Sequence, residues 1–418
     1  MSMHHNARTR TLQHSRRLVL SLALAFSPAL TLAQQQAAAP AAATAPAAPA
    51  AAASARPATV AELSSIPAPT LAAKAWLSLD ANSGQVIAAQ DPDQKVEPAS
   101  LTKLMAAYVV FKALDEKRLT LDQKVNISEH AWRTEGSRMF VKVNSQVSVD
   151  ELLQGLIVQS GNDATVALAE AVAGSESAFA ALMNQEAARQ GLTGTHFTNA
   201  PGLPDPQHMT TVRDLGTMAR NLIHDFPQYI HYYSQKEFVY NKIKQPNRNR
   251  LLWADPTVDG LKTGHTSSAG YCLVSTALRD GRRVISVLVG APTDSARAES
   301  SLKLLNWSFQ NFEDIKLFGN AEPVVKARVW EGKAETVGLG QPQALWITVP
   351  RGKGPEVKPE ARYTTPLMAP LTKGSRVGTV TLSLDGKVLR EEPLVVLDNV
   401  AEAGFFGRMV DKVRLMFQ

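Results

Sequence analysis

The chain has 418 residues, 44% of them hydrophobic and 20% charged, which is enough for a sizeable core and too long for one ordinary domain. Its formal charge of +6 is unevenly spread: residues 1–33 hold four Arg and no acid, and the remaining 40 basic and 38 acidic side chains leave +2. So small an excess gives no support to a nucleic-acid partner, and a single cysteine, Cys272, excludes an intramolecular disulfide.

Arg8, Arg10, Arg16 and Arg17 precede the apolar run Leu18–Phe26 and the small-residue exit Thr31-Leu32-Ala33. That order predicts a secretory signal peptide over residues 1–33, with an uncleaved N-terminal anchor as the alternative; the run is too short to span a bilayer. Residues 34–70, dominated by Ala and Pro, read as a linker without a packed face. Ala75–Asp80 and Gln85–Gln90 then flank Asn82-Ser83-Gly84 as a hairpin. Residues 100–225 read mainly as helices, among them Leu101–Leu114, Val149–Gln159 and Asp163–Ala173. A second hairpin, Gly270–Leu278 and Arg283–Gly290 around Asp280-Gly281, is followed by a helix over Ala296–Phe312. Strands from both ends with helices between them predict an α+β (α/β-type) domain over 71–318: one antiparallel sheet with a helical subdomain inserted.

Val324–Trp330, Ala344–Val349, Val377–Leu384 and Val388–Val396 are short alternating runs between turn residues, so 319–398 reads as a small all-β domain. In 399–418, Phe406, Met409, Val410, Val413, Met416 and Phe417 fall at helical spacing, with Arg408, Asp411 and Lys412 elsewhere on the helix. Such a segment is too short to cross a bilayer; it lies in a membrane interface or packs on its own β domain.

Three short motifs carry the chemistry. Ser100-Leu101-Thr102-Lys103 follows Glu97-Pro98-Ala99 at a helix start, and residues three apart share a helix face, so the Lys103 amine can reach the Ser100 hydroxyl. Serine needs a neighbouring base to become nucleophilic, and lysine serves as one only when its pKa is lowered. Ser160-Gly161-Asn162, between two helical patterns, offers a hydroxyl for proton relay and an amide for a substrate carbonyl. Lys262-Thr263-Gly264, read as opening the second hairpin's strand, supplies an ammonium and a hydroxyl suited to an anion, and a glycine that admits a backbone close to a strand edge. Each motif alone is weak; their conjunction in this order is specific.

Together they make the chain resemble the penicillin-recognising serine enzymes. Glu97–Lys103, Gln159–Ala164 and Asp259–Thr266 look like the D-alanyl-D-alanine carboxypeptidases among the low-molecular-mass penicillin-binding proteins, over nearly everything from Ala72 onward. The resemblance implies a penicillin-binding/β-lactamase-like fold, Ser100 as acylated nucleophile and Lys103 as its base. It implies that Ser160 and Asn162 shuttle protons and hold substrate, that Lys262 polarises the site, and that the backbone N–H groups of Ser100 and His265 form an oxyanion hole. Substrate would be bound by Thr263, Gly264 and His265, and its terminal carboxylate would meet Thr263 with help from Arg248 and Arg297. Members often have Gly where this chain has Arg250, which leaves the local loop shape open. The implied substrate is a peptidoglycan stem peptide, with β-lactam antibiotics as covalent inhibitors, no cofactor and no metal. The expected place is the periplasmic face of the inner membrane, reached by export and held peripherally through the terminal helix. A DD-endopeptidase cutting cross-links and an inactive wall- or membrane-binding protein are the alternatives. Residues 187–204 contain no Asp or Glu, so the glutamate with which class A β-lactamases activate water has no counterpart there. His and acidic residues nowhere cluster with metal-site spacing. Cys272 lies in an apolar strand-like run and reads as a buried thiol.

Overall fold

The computed structural model describes residues 58–417. The signal-peptide segment and most of the expected linker lie outside them. The main sheet contains β1 (Ala75–Asp80), β2 (Val86–Gln90), β3 (Val258–Thr266), β4 (Gly270–Arg279) and β5 (Arg282–Ala291), in the order β2-β1-β5-β4-β3 and antiparallel throughout. Strand alternation sends successive residues to opposite faces. Leu77, Leu79, Val274 and Val287 join the helical subdomain's core, while Trp76, Leu273, Val284 and Leu288 pack with Leu304, Leu305 and Phe309 of the helix Asp294–Asn311. The Lys262-Thr263-Gly264 motif sits not at the start of the second hairpin but within β3, a separate strand at the sheet edge. Position at the edge is what leaves its outer side open to a cleft.

The helical subdomain is built around the helix Lys103–Asp115, which is almost wholly buried, with Asn162–Ala173, Glu176–Arg189 and Val212–Asp225 against it. The expected helix over Val149–Gln159 is α-helical only to Gln154; Gly155–Gln159 forms a π turn. A hairpin that periodicity did not show, Glu237–Tyr240 with Ile243–Pro246, packs on that turn.

Three boundaries are corrected. The linker does not run to residue 70: Val60–Ser64 is a helix with a Thr59/Glu62 capping box, and Val60 and Ala61 are buried. The signal was present as Thr-x-x-Glu before an apolar residue, beneath an Ala/Pro-rich composition. The β domain begins at Phe312 rather than 319, because Phe312–Phe318 pairs with Leu345–Pro350. It also continues past 398, through bridges from Leu371 to Val400 and from Gly332 to Glu402, so the last helix is Phe405–Leu415. Polar contacts join the β domain to the main sheet: Arg282, paired with Asp80 of its own sheet, also reaches Asp314 at 3.7 Å, Asn82 donates to Asp314 at 2.6 Å, and the Ser83 and Thr348 hydroxyls lie 2.6 Å apart.

Candidate active site

Ser100 lies in the 3-10 turn Ala99–Thr102 that leads into the helix Lys103–Asp115. The turn is held from several sides. Ala99 takes a left-handed backbone (φ 47°), and its carbonyl accepts the Thr102 hydroxyl at 2.8 Å. Thr102 Oγ1 is 2.8 Å from His208 Nε2. The backbone N–H of Thr198 donates to His208 Nδ1, which fixes the proton on Nε2, so His208 donates to Thr102 and Thr102 to Ala99. Gly202 (φ 85°) packs so closely that a Cβ there would stand 2.0 Å from the Ala99 carbonyl oxygen. From the sheet side, a Cβ on Gly264 would lie 3.2 Å from the Pro98 carbonyl and 3.3 Å from the Leu101 nitrogen. Glycine at 264 is therefore what lets β3 close on the nucleophile's turn.

Lys103 is fully buried, and its Nζ makes three contacts: Ser100 Oγ at 3.1 Å, Asn162 Oδ1 at 2.7 Å and the Pro201 carbonyl at 2.8 Å. Burial, reinforced by the Arg248 charge and opposed by Asp163, lowers its pKa to about 7. The two acceptor-only partners hold two N–H bonds when the amine is neutral. Its lone pair is then left for the third direction, toward Ser100 Oγ.

The π turn ends with Ser160 in a left-handed conformation (φ 64°), which presents its hydroxyl beside β3. Lys262 Nζ donates to Ser160 Oγ and to the Thr263 carbonyl, both at 2.9 Å. Lys262 is buried, and burial together with the charges of Lys103, Arg248 and Arg297 pushes its pKa well down. Asn162 donates to the Glu135 carbonyl at 2.5 Å while accepting from Lys103.

These groups open onto one cleft of about 450 Å³. Ser100, Ser160, Thr263, Gly264, His265, Arg248 and Arg297 all line it, so the residues singled out in sequence converge, Lys103, Asn162 and Lys262 lying directly behind them. The His265 ring is exposed and lies 4.1 Å from that of Tyr271. Cys272 stays out of this chemistry: it is buried, and burial raises its pKa to about 11.

Sequence reasoning missed four contributors. Asp163 accepts the backbone N–H groups of Met139, Phe140 and Val141, which ties the 137–141 loop over the site. The Pro201 carbonyl and His208 brace the Lys103 and Ser100 turn, and Arg250 lines the cleft paired with Asp294 at 2.6 Å. No local spacing rule announces a loop that returns a hundred residues later. Among the described residues no group of His, Cys, Asp and Glu is placed to hold a metal ion.

A family profile described as D-alanyl-D-alanine carboxypeptidase matches residues 62–293, and one described as the C-terminal domain of penicillin-binding protein 5 matches 312–402. The chain is 44% identical to D-alanyl-D-alanine carboxypeptidase DacC of Escherichia coli (strain K12) over 86% of its own length and 92% of that protein. It is similar to crystal structures of penicillin binding protein 5 from Haemophilus influenzae, with 43% identity and a TM-score of 0.78 over 80% of this chain and 99% of that one. Penicillin-Binding Protein D2 of Listeria monocytogenes, solved in an ampicillin bound form, is 31% identical with a TM-score of 0.54, over 58% of this chain and 99% of the other.

Proposed function

The chain belongs to the D-alanyl-D-alanine carboxypeptidase family, and we propose that Ser100 is the residue through which it removes the terminal D-alanine from peptidoglycan stem peptides. It is a serine hydrolase of that specificity. The observation that carries the residue assignment is the buried Lys103 amine 3.1 Å from Ser100 Oγ, with its pKa brought down to about 7.

Neutral Lys103 takes the Ser100 proton as Oγ attacks the carbonyl of the penultimate D-alanine. The developing oxyanion is received by the backbone N–H groups of Ser100 and His265. The proton passes from Lys103, by way of Ser160, whose hydroxyl accepts from Lys262, to the nitrogen of the departing D-alanine. That leaves an ester on Ser100. Water then attacks the ester carbonyl, Lys103 again takes the proton, and the C–O bond breaks as Oγ regains it. Thr263, Arg248 and Arg297 bind the terminal carboxylate that marks the correct end of the peptide. Asn162 fixes the base and faces the substrate backbone.

β-Lactams acylate the same hydroxyl. The loop at 187–204, where an acid is needed to activate water against a penicilloyl ester, has none; its Pro201 carbonyl holds Lys103 instead. The adduct therefore turns over slowly. A Ser100→Ala protein should release no D-alanine from a D-Ala-D-Ala peptide and gain no penicillin mass by intact mass spectrometry. D-alanine release by that variant would remove Ser100 from the mechanism.

The protein acts at a membrane surface on the exported side, most simply the periplasmic face of the inner membrane. Phe405, Phe406, Met409, Val410 and Val413 stand exposed on the helix Phe405–Leu415, with Met416 exposed just beyond its end, beside the cations Arg408, Lys412 and Arg414. An uncovered apolar stripe flanked by cations fits the interface of an anionic bilayer.

A further inference from the structure

Asp294 places a second carboxylate in the cleft that takes the substrate's own. It begins the helix Asp294–Asn311, with one oxygen on Arg297 Nη2 and the other 2.6 Å from Arg250 Nε. Arg297 is 5% exposed, and its Nε is buried without a hydrogen-bond partner. A buried guanidinium N–H without a partner is costly, and the residue that carries it lines the cleft. Asp294 thus orients Arg297, yet its charge would repel the anion that Arg297 awaits, since charges a few ångströms apart in a partly dehydrated cleft couple strongly. Arg250 lies on the far side of that carboxylate, and its side chain is 68% exposed.

We propose that Arg250 is a positioning residue that neutralises Asp294, so that Arg297 is held in place without an uncompensated negative charge facing the substrate's terminal carboxylate. The inference rests on the D-Ala-D-Ala carboxypeptidase reading above. Arg250 works through Asp294 rather than on the substrate, and that separates it from Arg248 and Arg297.

A double-mutant cycle with steady-state release of D-alanine from a peptide ending in D-Ala-D-Ala tests this. Arg250→Ala should raise KM about tenfold with kcat within twofold. Asp294→Asn keeps an acceptor for Arg297 but leaves Arg250 no charge to neutralise, and its own KM is the reference for the second arm of the cycle. In the Asp294→Asn background, adding Arg250→Ala should change KM less than twofold, and Arg250→Lys should recover most of the lost affinity in the parent background. A tenfold KM effect of Arg250→Ala that persists with Asn at 294 would mean direct contact with substrate and overturn the proposal, as would no KM effect at all. Absence of D-alanine release by the unmodified protein is a different result, which defeats the underlying reading instead. Thermal unfolding within a few degrees of the parent, expected for so exposed a side chain, shows that the KM change is not a folding defect.

Discussion

Asn162 Oδ1 accepts a hydrogen bond from Lys103 Nζ at 2.7 Å, so a residue 59 positions downstream sets the direction in which the base's lone pair points. The contact also requires Asn162 to stay uncharged. A carboxylate at that place would hold Lys103 protonated.

The pH dependence follows from Lys103. Its pKa in the folded protein is brought from 10.5 to about 7, so the amine is a base above that pH and a spent ammonium below it. The kcat/KM for D-alanine release should climb about tenfold per pH unit up to about pH 7 and then level off. Lys103→Arg, which cannot lose its proton, should lower the rate by about 10²–10⁴ above pH 7 and abolish the acid limb. An acid limb that stays at the same pH with the residual activity of Lys103→Arg would assign the limb to another group.

Asn162→Asp should move the same limb to higher pH by one unit or more, because a negative charge beside the ammonium stabilises it. Asn162→Ala should act differently. It strands a buried Lys103 N–H and the Glu135 carbonyl, at a cost of about 1–3 kcal/mol in stability. Acylation by penicillin should slow about 10²-fold as the base loses its orientation. Stopped-flow acylation and thermal unfolding separate the two effects.

Gly202→Ala should be more damaging than its size suggests. The added methyl would meet the Ala99 carbonyl at 2.0 Å, in a backbone conformation (φ 85°) that alanine rarely adopts. Either the 199–203 loop or the Ser100 turn must shift, so a loss of about 1–3 kcal/mol and a fall in penicillin acylation should appear together. Unchanged acylation would show that the loop gives way without disturbing the nucleophile.

Deleting residues 405–418 removes the exposed apolar stripe while leaving the β domain, whose last bridge is at Glu402, intact. The truncated protein should pass from the membrane to the soluble fraction with its D-alanine release unchanged. Continued sedimentation with membranes would place the attachment elsewhere.

Local chemistry in the sequence already determined much of this protein. Alternation marked β1, β2, β4 and β5, helical spacing marked Leu101–Leu114, observed as Lys103–Asp115, and the terminal helix, and three-residue spacing on a helix start joined Ser100 to Lys103. The residue types of the three motifs dictated a hydroxyl nucleophile with amine assistance. Only the tertiary structure decided what lies between motifs. The Lys262–Ser160 contact spans 102 positions and the Lys103–Pro201 contact 98, and the Arg250–Asp294 pair closes two loops on one carboxylate. A hydrogen bond across such separations depends on how whole elements pack and leaves no periodic trace. For the same reason the edge strand Phe312–Phe318 belongs to the β domain rather than to the segment before it: it takes its stability from the surface it covers, which a linear sequence does not display, whereas Val60–Ser64 does carry a local signal in its Thr59/Glu62 capping box.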